Sequence, residues 1–187
     1  MLEFDNYLYY ISFLLYSPGC SSLDGFFYEQ GPFEIDTSDY TKLKQREYRW
    51  NTVANMIFLE APVGVGFSYS DTDDYRCNDD RTATESRAAL EDFFQKFPEL
   101  KKNKFFLTGM CFLLSYISGL SCPYFDIILI SICNFLFAGE SYGGIYVPTL
   151  AEAIVQGQLD STYTGAKLNG IAVGNGCSGS GIGICGR

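Results

Sequence analysis

Five residues, Gly139-Glu140-Ser141-Tyr142-Gly143, have the spacing that presents a serine for nucleophilic attack. In a Gly-x-Ser-x-Gly run the serine sits on a sharp turn between a strand and a helix. The flanking glycines admit the strained backbone and let a substrate approach closely. The chemistry would be acyl transfer through a covalent acyl-enzyme. A serine hydroxyl attacks poorly until a base takes its proton, and that base is nearly always histidine. The chain contains no histidine. It therefore carries a nucleophile's cradle without the group that activates it. Read without its neighbours, Ser141 could be an ordinary helix N-cap.

Few other reactive constellations stand beside it. Seven cysteines, Cys20, Cys77, Cys111, Cys122, Cys133, Cys177 and Cys185, include no Cys-x-x-Cys pair. Without histidine they do not suggest a zinc site, and neither a metal nor an organic cofactor is implied. They read either as buried thiols or as disulfides of an oxidising compartment, and the odd count leaves at least one without a partner in the chain. Cys177 and Cys185 are near enough in sequence to pair locally. Gly64 and Gly66 lack the Lys-Ser/Thr of a phosphate loop and predict a tight turn instead. Trp50 and Tyr69 read as packing residues. With 22 acidic and 13 basic residues the net charge is −9, which argues against a nucleic-acid partner.

The elements that would position the serine follow from hydrophobic patterning. Val53–Glu60 ends in a short buried strand, stopped by Ala61-Pro62. Asp71–Asp80 is polar and predicts a surface loop. Asp79 or Asp80 then N-caps a helix with Ala83, Leu90, Phe94 and Phe97 on its apolar face, closed at Pro98. Phe105–Thr108 predicts the next strand. Tyr142–Gln156 predicts a helix packed through Ile145, Leu150, Ile154 and Val155, with Pro148 tolerated near its start. Leu168–Val173 predicts a last strand before Gly174-Asn175-Gly176. Strands alternating with helices imply an α/β fold with a mostly parallel sheet and flanking helices.

Two blocks break the pattern. From Phe105 to Gly139 the only charged residue is Asp126. Met110–Asn134 is long enough to span a bilayer, although Pro123 and Asp126 oppose a membrane helix. The preferred reading is an apolar insert at about 110–139: removing it joins Phe105-Phe-Leu-Thr-Gly109 directly to Glu140-Ser141. Residues 1–17 share this aromatic, nearly uncharged character and stand apart from the rest as a foreign N-terminal segment. Both blocks read as translated non-coding sequence. The acidic start and the lack of a cleavage site after Tyr7–Tyr16 predict no intact secretory leader.

Taken together, the motifs resemble the serine carboxypeptidases. Glu140-Ser141-Tyr142-Gly143-Gly144-Ile145-Tyr146-Val147-Pro148 is similar to their nucleophile segment. Pro18-Gly-Cys-Ser-Ser22, Glu29-Gln-Gly-Pro32, Glu60-Ala-Pro-Val-Gly-Val-Gly-Phe-Ser-Tyr69 and Gly174-Asn-Gly176 agree with it in order. The resemblance implies a partial α/β-hydrolase domain over 18–187, interrupted by the insert. It implies Ser141 as nucleophile and the backbone N–H of Tyr142 as an oxyanion donor. Glu29 and Glu140 would hold the terminal carboxylate of a peptide or protein substrate. Carboxyls sharing a site with a carboxylate must share protons, which favours binding at acid pH and suits the secreted, vacuolar or lysosomal settings of the family.

Departures from the family's pattern bear on activity. Leu15, Tyr16 and Ser17 stand where the family has Asn-Gly-Gly, which supplies a carboxylate ligand and the second oxyanion donor. The family's catalytic aspartate and histidine fall in a C-terminal portion beyond these residues. The expected function is release of C-terminal amino acids, with this chain lacking the groups to turn over. The alternatives are an acyltransferase on the same scaffold, and a non-catalytic binding or membrane-anchored fragment. Oligomeric state is not legible.

Overall fold

The structure is a computed structural model describing residues 10–16, 23, 25–110 and 143–173. Strand β1 spans Tyr10–Tyr16, a short Tyr-Ile-Ser-Phe-Leu-Leu-Tyr run rich in β-formers. A π-helical turn, Gly25–Glu29, precedes an antiparallel hairpin of β2 (Phe33–Ile35) and β3 (Leu43–Gln45). Strand β4 covers Asn55–Phe58, helix α1 Asp79–Lys96, and β5 Lys104–Met110. Helix α2 runs Gly143–Leu159 and β6 Leu168–Val173.

Strands β4, β1, β5 and β6 form one sheet in that order, and every neighbouring pair is parallel. The expected parallel α/β architecture is therefore present. Residues 1–17 stand apart from the rest in composition, yet they supply β1, which occupies an inner position of the sheet. It pairs Ile11 with Asn55 on one side and with Phe105 on the other.

Helix α1 packs on α2, and α2 packs on β5, β6 and β1. Fully buried Leu90, Phe94, Phe105, Leu107, Val147, Leu150 and Ile154 fill the space between these layers. The rings of Phe94 and Phe105 meet edge to face at 5.5 Å, a favoured aromatic geometry. The Asn169 side chain accepts a hydrogen bond from the Phe105 N–H at 2.9 Å, beside the register shift between Phe105 and Phe106.

Several local expectations need correction. The cap of α1 is Asn78, whose side chain accepts from the Arg81 N–H at 2.8 Å, so Asp79 and Asp80 fall inside the first turn. There they complement the positive helix end. Phe97 lies past the last turn and is 45% exposed. Val155 is 41% exposed because it lies on the side of α2 away from the sheet layer that buries Leu150 and Ile154. Tyr69 is 74% exposed, so it does not pack. Trp50 is half-buried and opens a 3-10 turn. Pro148 lies inside α2, as the pattern required.

Candidate active site

Parallel α/β sheets place their binding groups at the carboxyl ends of the strands. Here that edge is marked by Tyr16, Phe58, Met110 and Val173, the last residues of the four strands. Neighbouring β5 and β6 are parallel, and α2 packs on both, so the chain returns along α2 before entering β6 through the short connection 160–167. The first residue of α2, buried Gly143, is thereby directed to the edge where β5 ends. Ser141, Tyr142 and Glu140 immediately precede that helix end, and they lie outside the described residues. Cys177 and Cys185 do too. Of the cysteines, exposed Cys77 is described and is a free thiol.

Glu29 is described. It is half-buried, closes the π-helical turn Gly25–Glu29 and is engaged with other groups. The backbone on both sides of it is tied to one distant segment. The Arg46 guanidinium donates through Nη2 to the Phe27 carbonyl at 2.5 Å. The Trp50 N–H donates to the Gln30 carbonyl at 3.1 Å, and the Arg46 N–H to the Pro32 carbonyl at 3.0 Å. Gln30 itself is buried. Gly31 is obligatory here, since a Cβ would sit 1.9 Å from the Phe26 carbonyl oxygen. The Glu29-Gln-Gly-Pro32 motif thus encodes a close return of the chain that fixes where the carboxylate starts.

After β4, Glu60 organises a second turn. Its carboxylate accepts from the Phe67 N–H at 2.8 Å, and its carbonyl accepts from the Ser68 hydroxyl at 2.6 Å. Gly64 and Gly66 hold φ of +89° and +59°, so the expected tight turn is present and needs glycine for conformational reasons. Glu60 separates two hollows. One of about 250 Å³ lies among Leu23, Phe26 and Phe58. The other, of about 410 Å³, lies between Phe67, Tyr69, Arg81 and Ser86. Among the described residues no group of potential metal ligands clusters, and no helix is long and apolar enough to cross a membrane. Residues 111–134 of the membrane reading lie outside the described set.

Sequence reasoning missed Arg46. No local signal marks it, because its tie to Phe27 spans 19 positions of chain.

A parallel four-stranded sheet on which α2 packs, with that helix following a Gly-x-Ser-x-Gly segment in the sequence, defines an α/β-hydrolase. Comparison with known proteins narrows the class. The serine carboxypeptidase family matches residues 17–122 and 131–182, and the chain belongs to it. It is 43% identical over 159 residues to the lysosomal protective protein of Mus musculus, covering 85% of this chain and 26% of that protein. Against serine carboxypeptidase 1 of Hordeum vulgare it is 37% identical over 164 residues, covering 85% and 27%. Its fold is similar to the crystal structure of Kex1(delta)p, a prohormone-processing carboxypeptidase from Saccharomyces cerevisiae. The TM-score is 0.61 at 26% identity, over 89% of this chain and 30% of the other. The chain spans about a quarter of the length of the curated relatives it matches.

Proposed function

We propose that this chain is the nucleophile-bearing part of a serine carboxypeptidase, built to cleave C-terminal residues from peptides or proteins through an acyl-enzyme on Ser141. The observation that supports it best is the β5–α2–β6 crossover, which directs the helix following Ser141 and Tyr142 to the carboxyl edge of the sheet. There the N–H of Tyr142 and the positive end of α2 would face the developing oxyanion. Glu29 and Glu140 would take up the substrate's terminal carboxylate, with protons shared among the three carboxyls, so binding strengthens toward acid pH. An acidic compartment fits this reading, as does similarity to a protein named lysosomal.

The base that takes the proton of such a serine is nearly always an imidazole, and none lies in these 187 residues. Attack by Ser141 in this chain alone is slower than in a complete triad by roughly three to six orders of magnitude. A fluorophosphonate probe tests the assignment. The adduct is expected on Ser141 by mass spectrometry, forming slowly and disappearing in Ser141→Ala. An adduct elsewhere, or one untouched by that substitution, overturns it.

The domain reading is proposed in modified form. The family match passes over 123–130 and runs through the rest of 110–139, so the proposed insert is centred on 123–130. The inner position of β1 favours placing the domain's start before Tyr10, not at residue 18. Sequencing a mature transcript across codons 109 to 140 tests the insert: its absence from the message is expected, and its retention rejects the idea.

A further inference from the structure

We infer that Arg46 is a positioning residue for the substrate carboxylate, acting through Glu29; the inference rests on the reading of Glu29 as a carboxylate-binding group. Glu29 lies inside a bracket of three backbone ties, at Phe27, Gln30 and Pro32. Arg46 supplies two of them, one from its side chain and one from its backbone N–H. The third comes from Trp50 in the adjoining turn. The guanidinium is itself held. Its Nη1 lies 3.2 Å from a Glu34 carboxylate oxygen, and Glu34 also pairs with Lys44 at 3.0 Å. The Arg46 side chain is only 15% exposed, so its guanidinium is largely shielded from solvent.

This arrangement does more than hold a loop. A charged donor on the Phe27 carbonyl fixes the last turn of the π-helical segment, and with it the direction in which the Glu29 side chain departs. A carboxyl that must share a proton with an incoming carboxylate depends on oxygen-to-oxygen distance, since such hydrogen bonds weaken steeply with misalignment. A planar guanidinium that reaches Glu34 through Nη1 and the Phe27 carbonyl through Nη2 sets that direction more tightly than a flexible ammonium could. The ligand class is an acyl-peptide with a free terminal carboxylate, discriminated from the same peptide ending in an amide.

Trp50 is the sole tryptophan, and its N–H bonds to the residue after Glu29, so its emission reports on this bracket. The experiment titrates the 187-residue chain with an N-acylated dipeptide and with its C-terminal amide, following Trp50 fluorescence at acid pH. Wild type is expected to prefer the free acid. Glu29→Gln and Arg46→Met are each expected to reduce the acid-over-amide ratio by about tenfold, the scale of one charge-assisted hydrogen bond. Arg46→Lys, which keeps the charge and a donor, is expected to recover part of it. Circular dichroism and the Trp50 emission maximum establish that each variant is folded. A wild type with no preference for the free acid, or a folded Glu29→Gln chain whose preference equals that of wild type, overturns the Glu29 reading, and the role of Arg46 with it. An intact ratio in folded Arg46→Met, alongside a reduced ratio in Glu29→Gln, overturns the role of Arg46 alone.

Discussion

Gly66 has no room for a side chain because Glu60 occupies it: a Cβ there would lie 2.0 Å from the Glu60 Oε1. The same carboxylate receives the next residue's N–H at 2.8 Å. Turn and carboxylate therefore fix one another. Gly66→Ala places alanine at a φ of +59° and pushes Glu60 off the Phe67 N–H. The left-handed backbone alone costs about 1–2 kcal/mol. Urea unfolding is expected to show at least that loss. A double variant with Glu60→Ala should lose less than the sum of the two single changes, because the clash is gone.

A related contest links the two helices. Gly157 of α2 faces the Arg87 guanidinium of α1, which a Cβ would approach to 2.7 Å. Arg87 donates to the Ala153 carbonyl at 3.2 Å and to the Thr162 hydroxyl at 3.0 Å, and lies over the Tyr163 ring. Alanine is the better helix former by about 1 kcal/mol. Gly157→Ala is expected to stabilise an Arg87→Ala chain by about that amount and to gain nothing in the wild type. Equal effects in both backgrounds, measured by thermal unfolding, would falsify the contact.

The core offers a blunter test. Phe94 is fully buried between α1 and β5 and stacks edge to face on Phe105. Phe94→Ala should cost about 3–5 kcal/mol, enough to unfold a marginal domain. Loss of the cooperative transition in circular dichroism is the expected result. A transition near the wild-type midpoint would mean that the α1 layer does not close the core.

Acid should loosen the loop ahead of α1. Asp74 is held below the usual carboxylate range chiefly by its side-chain bond to Arg76, then by the Arg76 N–H, with Arg81 adding to the effect. A carboxyl lowered in the folded state contributes fully above its ordinary value of 3.8 and loses that contribution as pH falls through the lower folded value. Unfolding midpoints should therefore drop on the acid side of that range. Asp74→Asn should flatten the acid limb without changing the neutral plateau's shape. An unchanged limb would assign the acid sensitivity to Asp36, Asp39 and Asp160, which are lowered in the same direction.

What the sequence made legible follows the range of the forces involved. Strand β6 appears at Leu168–Val173 as the pattern predicts, because a short apolar run between polar turns needs only local information. The Gly64–Gly66 turn is legible for the same reason, glycine spacing being a direct record of backbone conformation. The exposures of Val155 and Phe97 were not legible, since they depend on which side of a helix meets the sheet. Asn78, Asp79 and Asp80 are all good caps, and only geometry chooses Asn78 among them. Of the site, Glu29 is legible from its motif but its bracket is not: Arg46, Glu34 and Trp50 are joined to it by tertiary contacts alone.

The order β4-β1-β5-β6 has a kinetic consequence. The two inner strands, Tyr10–Tyr16 and Lys104–Met110, pair along their whole length although roughly ninety residues separate them. On a ribosome the first inner strand emerges long before its partner, and until then it can zip only to β4. The sheet cannot be completed from one end like a hairpin. It must wait for β5 to slot in beside β1, and only then does β6 find an edge. Such non-local closure is slow. During synthesis an apolar strand would stand half-paired for the time needed to make everything through Met110, which makes this nascent chain a natural client for chaperones.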